Sequence, residues 1–224
     1  MDLKKVKSAS LQDAVYQELF KAIVSGQIKP GEKITIEQIA KHVHTSEMPV
    51  RGALAKLEAR GIVSIPNRRR IIVNELSVED VNQIYEIRLL LECYAVKKAS
   101  VLRSDEALKR LKKIADQAAS AEDEVEYLKF NRDFHLTIYR EAKLRHLLDL
   151  ISQMWEKTSP YLYILMDWEK DKLGESFIKS HLGMLKGLEN KDPEETSKWL
   201  TKDLNKSRDR IVKYLKKKAS SKKE

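Results

Sequence analysis

The stretch Thr45–Val73, TSEMPVRGALAKLEARGIVSIPNRRRIIV, constrains the fold of this chain more than any other. Val50, Ala53, Leu54 and Leu57 recur at helical spacing, which gives Ser46–Arg60 one apolar face. Thr45 or Ser46 can cap its start, and Pro49 falls in the first turn, where its missing N–H forfeits no helical bond. Gly61 stands where a helix stops on a left-handed residue. Beyond it, Ile62–Ile65 and Ile71–Val73 are short β-branched runs around the polar bend Pro66–Arg70. A helix followed at once by a hairpin whose tip carries Arg68, Arg69 and Arg70 is a winged helix. Arg51, Lys56 and Arg60 lie on the solvent face of that helix, so it suits a major groove, with the wing on the neighbouring backbone or minor groove. Charge alone would equally describe a solvated basic face on a small helical domain.

The distribution of charge narrows the choice. The chain of 224 residues carries +9 in all; residues 1–74 hold +6 and Lys213–Glu224 hold +5, which leaves −2 for the body between them. A basic first third on a near-neutral body implies a polyanionic partner for that third. The basic tail reads as a frayed helix end rather than a second contact. No run of 18 apolar residues exists, and Met1–Leu11 is basic without an apolar core, so neither a membrane span nor a signal peptide is expected. The single Cys93 excludes an internal disulfide framework and suits a reducing compartment, with the cytoplasm expected.

In chain order, Ser10 with Asp13 starts a helix whose stripe is Leu11, Ala14, Val15, Leu19, Ala22 and Ile23. The link Gln27–Lys33 contains the turn pair Pro30-Gly31, and Thr35 caps a short helix with Ile36, Ile39, Ala40 and Val43 inward. The turn His44–Ser46 then leads into the helix described above. This whole segment resembles the DNA-binding domain of GntR-family transcription regulators. The likeness rests on I-x-S-G-x-I-x-P-G-E at Ile23–Glu32, P-V-R-x-A-L at Pro49–Leu54 and L-E-x-x-G-I-V at Leu57–Val63. It implies that Thr45, Ser46, Glu47, Arg51, Lys56, Arg68, Arg69 and Arg70 face double-stranded DNA. Two positions depart from the family pattern. Glu47 stands where the family usually has Arg, and the wing carries arginines where it usually has Gly. A carboxylate repels phosphate but can accept from cytosine N4, so the family's operator rules do not transfer.

After Asn74-Glu75-Leu76, Ser77 with Asp80 opens a long helix with Val81, Ile84, Ile87, Leu91 and Ala95 inward. Further helices are expected over Asp105–Ala121, Val125–Ala142, Arg145–Asp167 with a break near Pro160, Lys172–Glu189 and Glu194–Lys218. The expected architecture is mainly α: a winged helix-turn-helix over residues 1–74, then an antiparallel all-α bundle over 75–224. The segment LSVEDVNQIYEIRLLLECYAVKKA resembles the first helix of the helical effector domain (FCD) of the FadR subfamily.

Asn131 and His135 are four residues apart and share a helix face. His181 stands ten residues before Lys191 and Asp203 eleven after Asp192, both in the bend Asn190–Pro193, so antiparallel helices would set them level. Four N/O ligands from three helices could hold a divalent transition metal, zinc or nickel by the imidazoles or manganese by the oxygens. Spacing alone fits hydrogen-bonded core residues as well. In the resembled subfamily many members bind a metal through an Asp or Asn, a His four residues on, and two further His. NRDFH at Asn131–His135 and SHLGMLKGLENKD at Ser180–Asp192 match, whereas the fourth His falls on Asp203-Leu204. The same likeness implies a small organic acid above the metal, with Arg88 as its clamp; the aromatic residues Tyr85, Tyr139 and Trp155 are candidates for the remaining wall. A plain i,i+4 salt bridge from Arg88 to Glu92 is the alternative. His42, His44 and His146 read as non-ligands.

The leading reading is a dimeric, metabolite-responsive regulator on a two-fold symmetric operator. A metalloenzyme and a ligand-blind DNA-binding scaffold are the alternatives, and the chain has no Glu-x-x-His or His-Glu-x-x-His to support the enzyme.

Overall fold

The computed structural model describes residues 11–67, 69–169 and 173–221 and divides into two units, Met1–Glu75 and Leu76–Glu224. The expected Ser10 cap and the Arg68 contact lie outside the described residues.

The first unit contains α1 (Leu11–Val24), β1 (Lys33–Thr35), α2 (Ile36–His42), α3 (Glu47–Ala59), β2 (Val63–Ser64) and β3 (Arg70–Val73). Thr35 opens α2 through a reciprocal capping box with Gln38. Ser46 occupies the N-cap of α3 but makes no side-chain cap bond. Packing holds that helix instead. Val50, Leu54 and Leu57 are fully buried at about 1.5–3 kcal/mol each, which outweighs the ~1 kcal/mol a cap supplies. Gly61 ends the helix at φ +68°, where a side chain would be strained. Leu11, expected inward on α1, is exposed.

The wing belongs to a three-stranded antiparallel sheet of order β1-β3-β2. β1 pairs Ile34 with Ile71 and Thr35 with Arg70, a strand the sequence did not announce because three residues are too short for alternation to show. At the wing tip, Asn67 Oδ1 accepts from the backbone N–H groups of Arg69 and Arg70 at 3.0 and 2.9 Å. That side-chain turn does the work of the missing glycine.

The second unit contains α4 (Val78–Leu102), α5 (Asp105–Ala119), α6 (Glu124–Glu141), α7 (Arg145–Glu169), α8 (Leu173–Glu189) and α9 (Pro193–Ser221). Among the described residues no helix is long and apolar enough to cross a membrane. Ser77 and Asp80 form the expected capping box of α4. Of the expected stripe on α4, Val81, Ile84 and Ala95 are buried but Ile87 is exposed, and Tyr85, Arg88, Glu92 and Val96 join the buried face. Counting only apolar residues hid a face that includes an ion pair. The expected break at Pro160 is also absent, since α7 runs through it. The proline removes one N–H from the ladder, and the Thr158 and Ser159 hydroxyls bond the Trp155 carbonyl in the preceding turn. A buried core gathers α4 through α9, with Phe134, Ile138, Tyr139, Ile151, Leu188 and Leu200 among its members.

Candidate metal centre and nucleic-acid interface

α8 and α9 approach closely because α8 carries Gly183 and Gly187 on the contact. A Cβ at Gly183 would stand 2.2 Å from the Trp199 ring, and one at Gly187 would stand 2.7 Å from the Thr196 backbone nitrogen. Lys191, at φ +52°, turns the chain between the two helices, and Asp192 Oδ1 accepts from the Glu194 and Glu195 N–H groups to start α9. His181 on α8 and Asp203 on α9 therefore meet Asn131 and His135 on α6. All four are buried. His135 Nε2 lies 3.4 Å from Asp203 Oδ2, His181 Nε2 lies 3.0 Å from Asn131 Oδ1, and donor atoms of His135, His181 and Asp203 fall within 4.8 Å of one another.

Three buried atoms of this cluster, His135 Nε2, His181 Nδ1 and Asp203 Oδ1, have no hydrogen-bond partner among the described residues. Buried polar atoms without partners are costly, typically about 1–3 kcal/mol each. A divalent cation held by those three atoms would remove that cost. Bonds of about 2.0–2.2 Å set adjacent ligand atoms roughly 3.0–3.5 Å apart, which is the spacing of His135 Nε2 and Asp203 Oδ2. Burial, with His135 adding to it and Asp203 opposing, pushes the His181 imidazole down to about 3. It is therefore neutral, the form that ligates.

A second polar group adjoins this cluster. Arg88 Nε donates to Glu92 Oε1 at 2.6 Å, Arg88 Nη1 to Thr158 Oγ1 at 3.3 Å and Trp155 Nε1 to Glu92 Oε1 at 3.1 Å. The Tyr139 hydroxyl donates to Glu92 Oε2 and sits 3.1 Å from His135 Nδ1. The Arg88 guanidinium is stacked against Tyr85 and Trp155, 4.7 Å from each ring centroid. Its pair with Glu92 is thus made as spacing allowed, but with side chains only 3% and 0% exposed. Breaking a pair so buried costs far more than a surface bridge. Glu92 is the residue that sequence reasoning underrated; its i+4 spacing from Arg88 was the available signal. His42, His44 and His146 are exposed and lie outside the cluster.

On α3, Glu47 and Arg51 form a half-exposed pair at 2.7 Å. Lys56 Nζ bonds Asp13 Oδ1 at 2.5 Å, and Arg60 donates to the Tyr16 hydroxyl and stacks on Phe20. Lys56 and Arg60 are therefore tied to α1, while Arg51 stays near the helix start beside exposed Met48. Thr45 is half-buried, Ser46 is exposed, and Arg69 and Arg70 are exposed on the wing.

Comparison with known proteins agrees with both halves. Residues 11–73 match the model described as bacterial regulatory proteins, gntR family, and residues 83–206 match the FCD domain. The chain is 27% identical over 197 residues to the HTH-type transcriptional regulator YdhC of Bacillus subtilis, covering 86% of this chain and 87% of that one. It is 27% identical over 193 residues to the HTH-type transcriptional regulator McbR of Escherichia coli, covering 85% and 87%. The solved structure of E. coli McbR/YncC superposes with a TM-score of 0.82 at 25% identity, covering 92% of this chain and 99% of that one.

Proposed function

Because the chain belongs to the gntR family of bacterial regulatory proteins and carries an FCD domain, we propose that it is a homodimeric cytoplasmic regulator that senses a small organic acid. It is a DNA-binding transcription regulator, as its relatives are, and the metalloenzyme alternative falls away. In the proposed reading, Asn131, His135, His181 and Asp203 hold one divalent metal, which supplies positive charge and open coordination positions for carboxylate oxygens. Arg88, linked to His135 through Glu92 and Tyr139, carries a guanidinium for which a carboxylate is a natural partner. The single observation that carries this reading is the buried set of unpartnered donor atoms shared by three helices. Binding shifts the population of dimer conformations and so the spacing of the two winged helices.

A gel shift on the operator tests this reading. Acids that stabilise the metal-loaded protein should change operator affinity roughly 5- to 150-fold; stabilisation without any such change leaves the ligand-blind reading. In the same assay Arg51→Ala should weaken specific retention roughly 5- to 150-fold with native circular dichroism, since a lost bidentate Arg–guanine pair costs about 1–3 kcal/mol. Unchanged affinity would remove Arg51 from the interface, and with it the proposed roles of Glu47, Thr45, Ser46, Lys56 and the wing arginines would need reordering.

Dimerisation has a candidate surface. Ile87, Leu90, Tyr94 and Val101 recur on the outer face of α4 and are exposed, Leu90 by 75%. Exposed apolar residues at helical spacing on one helix, interrupted here by Lys97 and Lys98, can pair with their own copy about a two-fold axis, as a symmetric operator requires. Sedimentation should give a dimer without DNA, and Leu90→Lys should give monomer. A monomeric wild type at micromolar concentration would overturn the assignment.

A further inference from the structure

We infer that Glu92 is a positioning residue for the proposed metal centre: through the Tyr139 hydroxyl it fixes the proton of His135 on Nδ1 and leaves Nε2 bare for the metal. The inference rests on the metal reading above. Glu92 is fully buried, and its oxygens receive Arg88 Nε–H, Trp155 Nε1–H and the Tyr139 O–H. A carboxylate has no proton to return, and the stacked guanidinium of Arg88 balances its charge. The one proton of the Tyr139 hydroxyl therefore points at Glu92. The Tyr139 oxygen, 3.1 Å from His135 Nδ1, can then only accept, so Nδ1 carries the imidazole proton. Nε2 keeps its lone pair, 3.4 Å from Asp203 Oδ2, where two acceptors face each other and a cation belongs. Were the Tyr139 proton turned toward His135, the neutral imidazole would carry its own proton on Nε2 and could not ligate there.

Gln at position 92 breaks this order while keeping the shape. An amide offers one acceptor oxygen to three donors, so its NH2 must face one side. Keeping the oxygen on Arg88 retains the stronger, charge-assisted bond. The NH2 then donates to the Tyr139 oxygen, and the hydroxyl proton turns to His135 Nδ1. Tyr139→Phe removes the acceptor altogether and leaves the Nδ1 proton of a ligating His135 buried without a partner. Both variants act on the same nitrogen. Outer partners of metal-ligating histidines typically contribute about 10- to 100-fold in metal affinity.

The test is zinc affinity of the full chain, read by competition with a chromogenic chelator, for wild type, Glu92→Gln, Tyr139→Phe and the double variant. Each single variant should bind zinc 10- to 100-fold more weakly, and the double variant no more weakly than the weaker single one. Thermal stability measured alongside separates a packing role, which would lower the melting temperature and leave zinc affinity alone. Tyr139→Phe keeps the ring, and it decides the matter if Glu92→Gln does not fold. Wild-type affinity in Tyr139→Phe, or losses that multiply in the double variant, overturns the inference. If zinc binding depends on His181 but not on Tyr139, the metal reading stands and this inference alone fails. If His181→Ala binds zinc as wild type does, both fail.

Discussion

Replacing His135 or His181 with Ala should abolish binding of the proposed divalent metal. Protein purified without chelator or affinity tag should carry one ion per chain, and either variant close to none. Each imidazole supplies one of the proposed four ligands, and the remaining Asp203 and Asn131 would be left as a carboxylate and an amide, a poor pair for zinc or nickel. Asn131→Ala should have the smallest effect of the four, because a neutral amide oxygen is the weakest donor. Stability gives a second readout. An ion present at 100 to 1,000 times its dissociation constant stabilises the fold by about 3–4 kcal/mol, so chelator should lower the melting temperature of the wild type and not of His181→Ala. Equal metal content in wild type and both histidine variants would put the site elsewhere.

The two histidines were legible because helix geometry is regular enough to be counted. The i,i+4 spacing of Asn131 and His135, and near-equal arms from the Asn190–Pro193 bend to His181 and Asp203, place the side chains without knowledge of packing. What counting could not supply was how near α8 comes to α9. That depends on Gly183 and Gly187 lying against Trp199 and Thr196, a fact about two surfaces at once. The same limit explains α4. An apolar tally put Ile87 inward and left the anticipated Arg88–Glu92 pair out of the core, yet the pair is buried and Ile87 is exposed. Charge neutralised inside a pair, and bonded further to Thr158, Trp155 and Tyr139 on other helices, behaves as interior. The wing followed from local chemistry at Gly61 and the β-branched runs. β1 did not, because a three-residue strand gains its place from β3 rather than from its own pattern. On α3 the basic residues were legible as a face, but their division was not: Asp13 and Tyr16 on α1 engage Lys56 and Arg60.

In metal-stripped protein, acidification below about pH 6.5 should destabilise the bundle, with His181 as a principal cause. Its imidazole is pushed down to about 3 from an ordinary 6.5, chiefly by burial and then by neighbouring His135. Once unfolded, His181 takes up a proton near pH 6.5; folded, it does not until near pH 3. Between those values the unfolded state binds more protons, so stability falls as pH falls, and above 6.5 the group contributes no pH dependence. The slope is about 1 kcal/mol per pH unit, so the drop from pH 6.5 to 5 should cost about 2 kcal/mol. That is a large share of a total stability of about 5–15 kcal/mol. Ordinary carboxylates titrate near 4, which leaves the window above pH 5 largely to histidine. Urea midpoints of chelator-treated protein at pH 7.5, 6.5, 5.5 and 5 measure the effect. The wild-type midpoint should hold between 7.5 and 6.5 and then fall, while His181→Gln, which cannot take up a proton in either state, should fall less by that same amount. Parallel curves for the two proteins would mean that His181 protonates in the folded bundle, and the buried neutral imidazole on which the metal site depends would be lost with it.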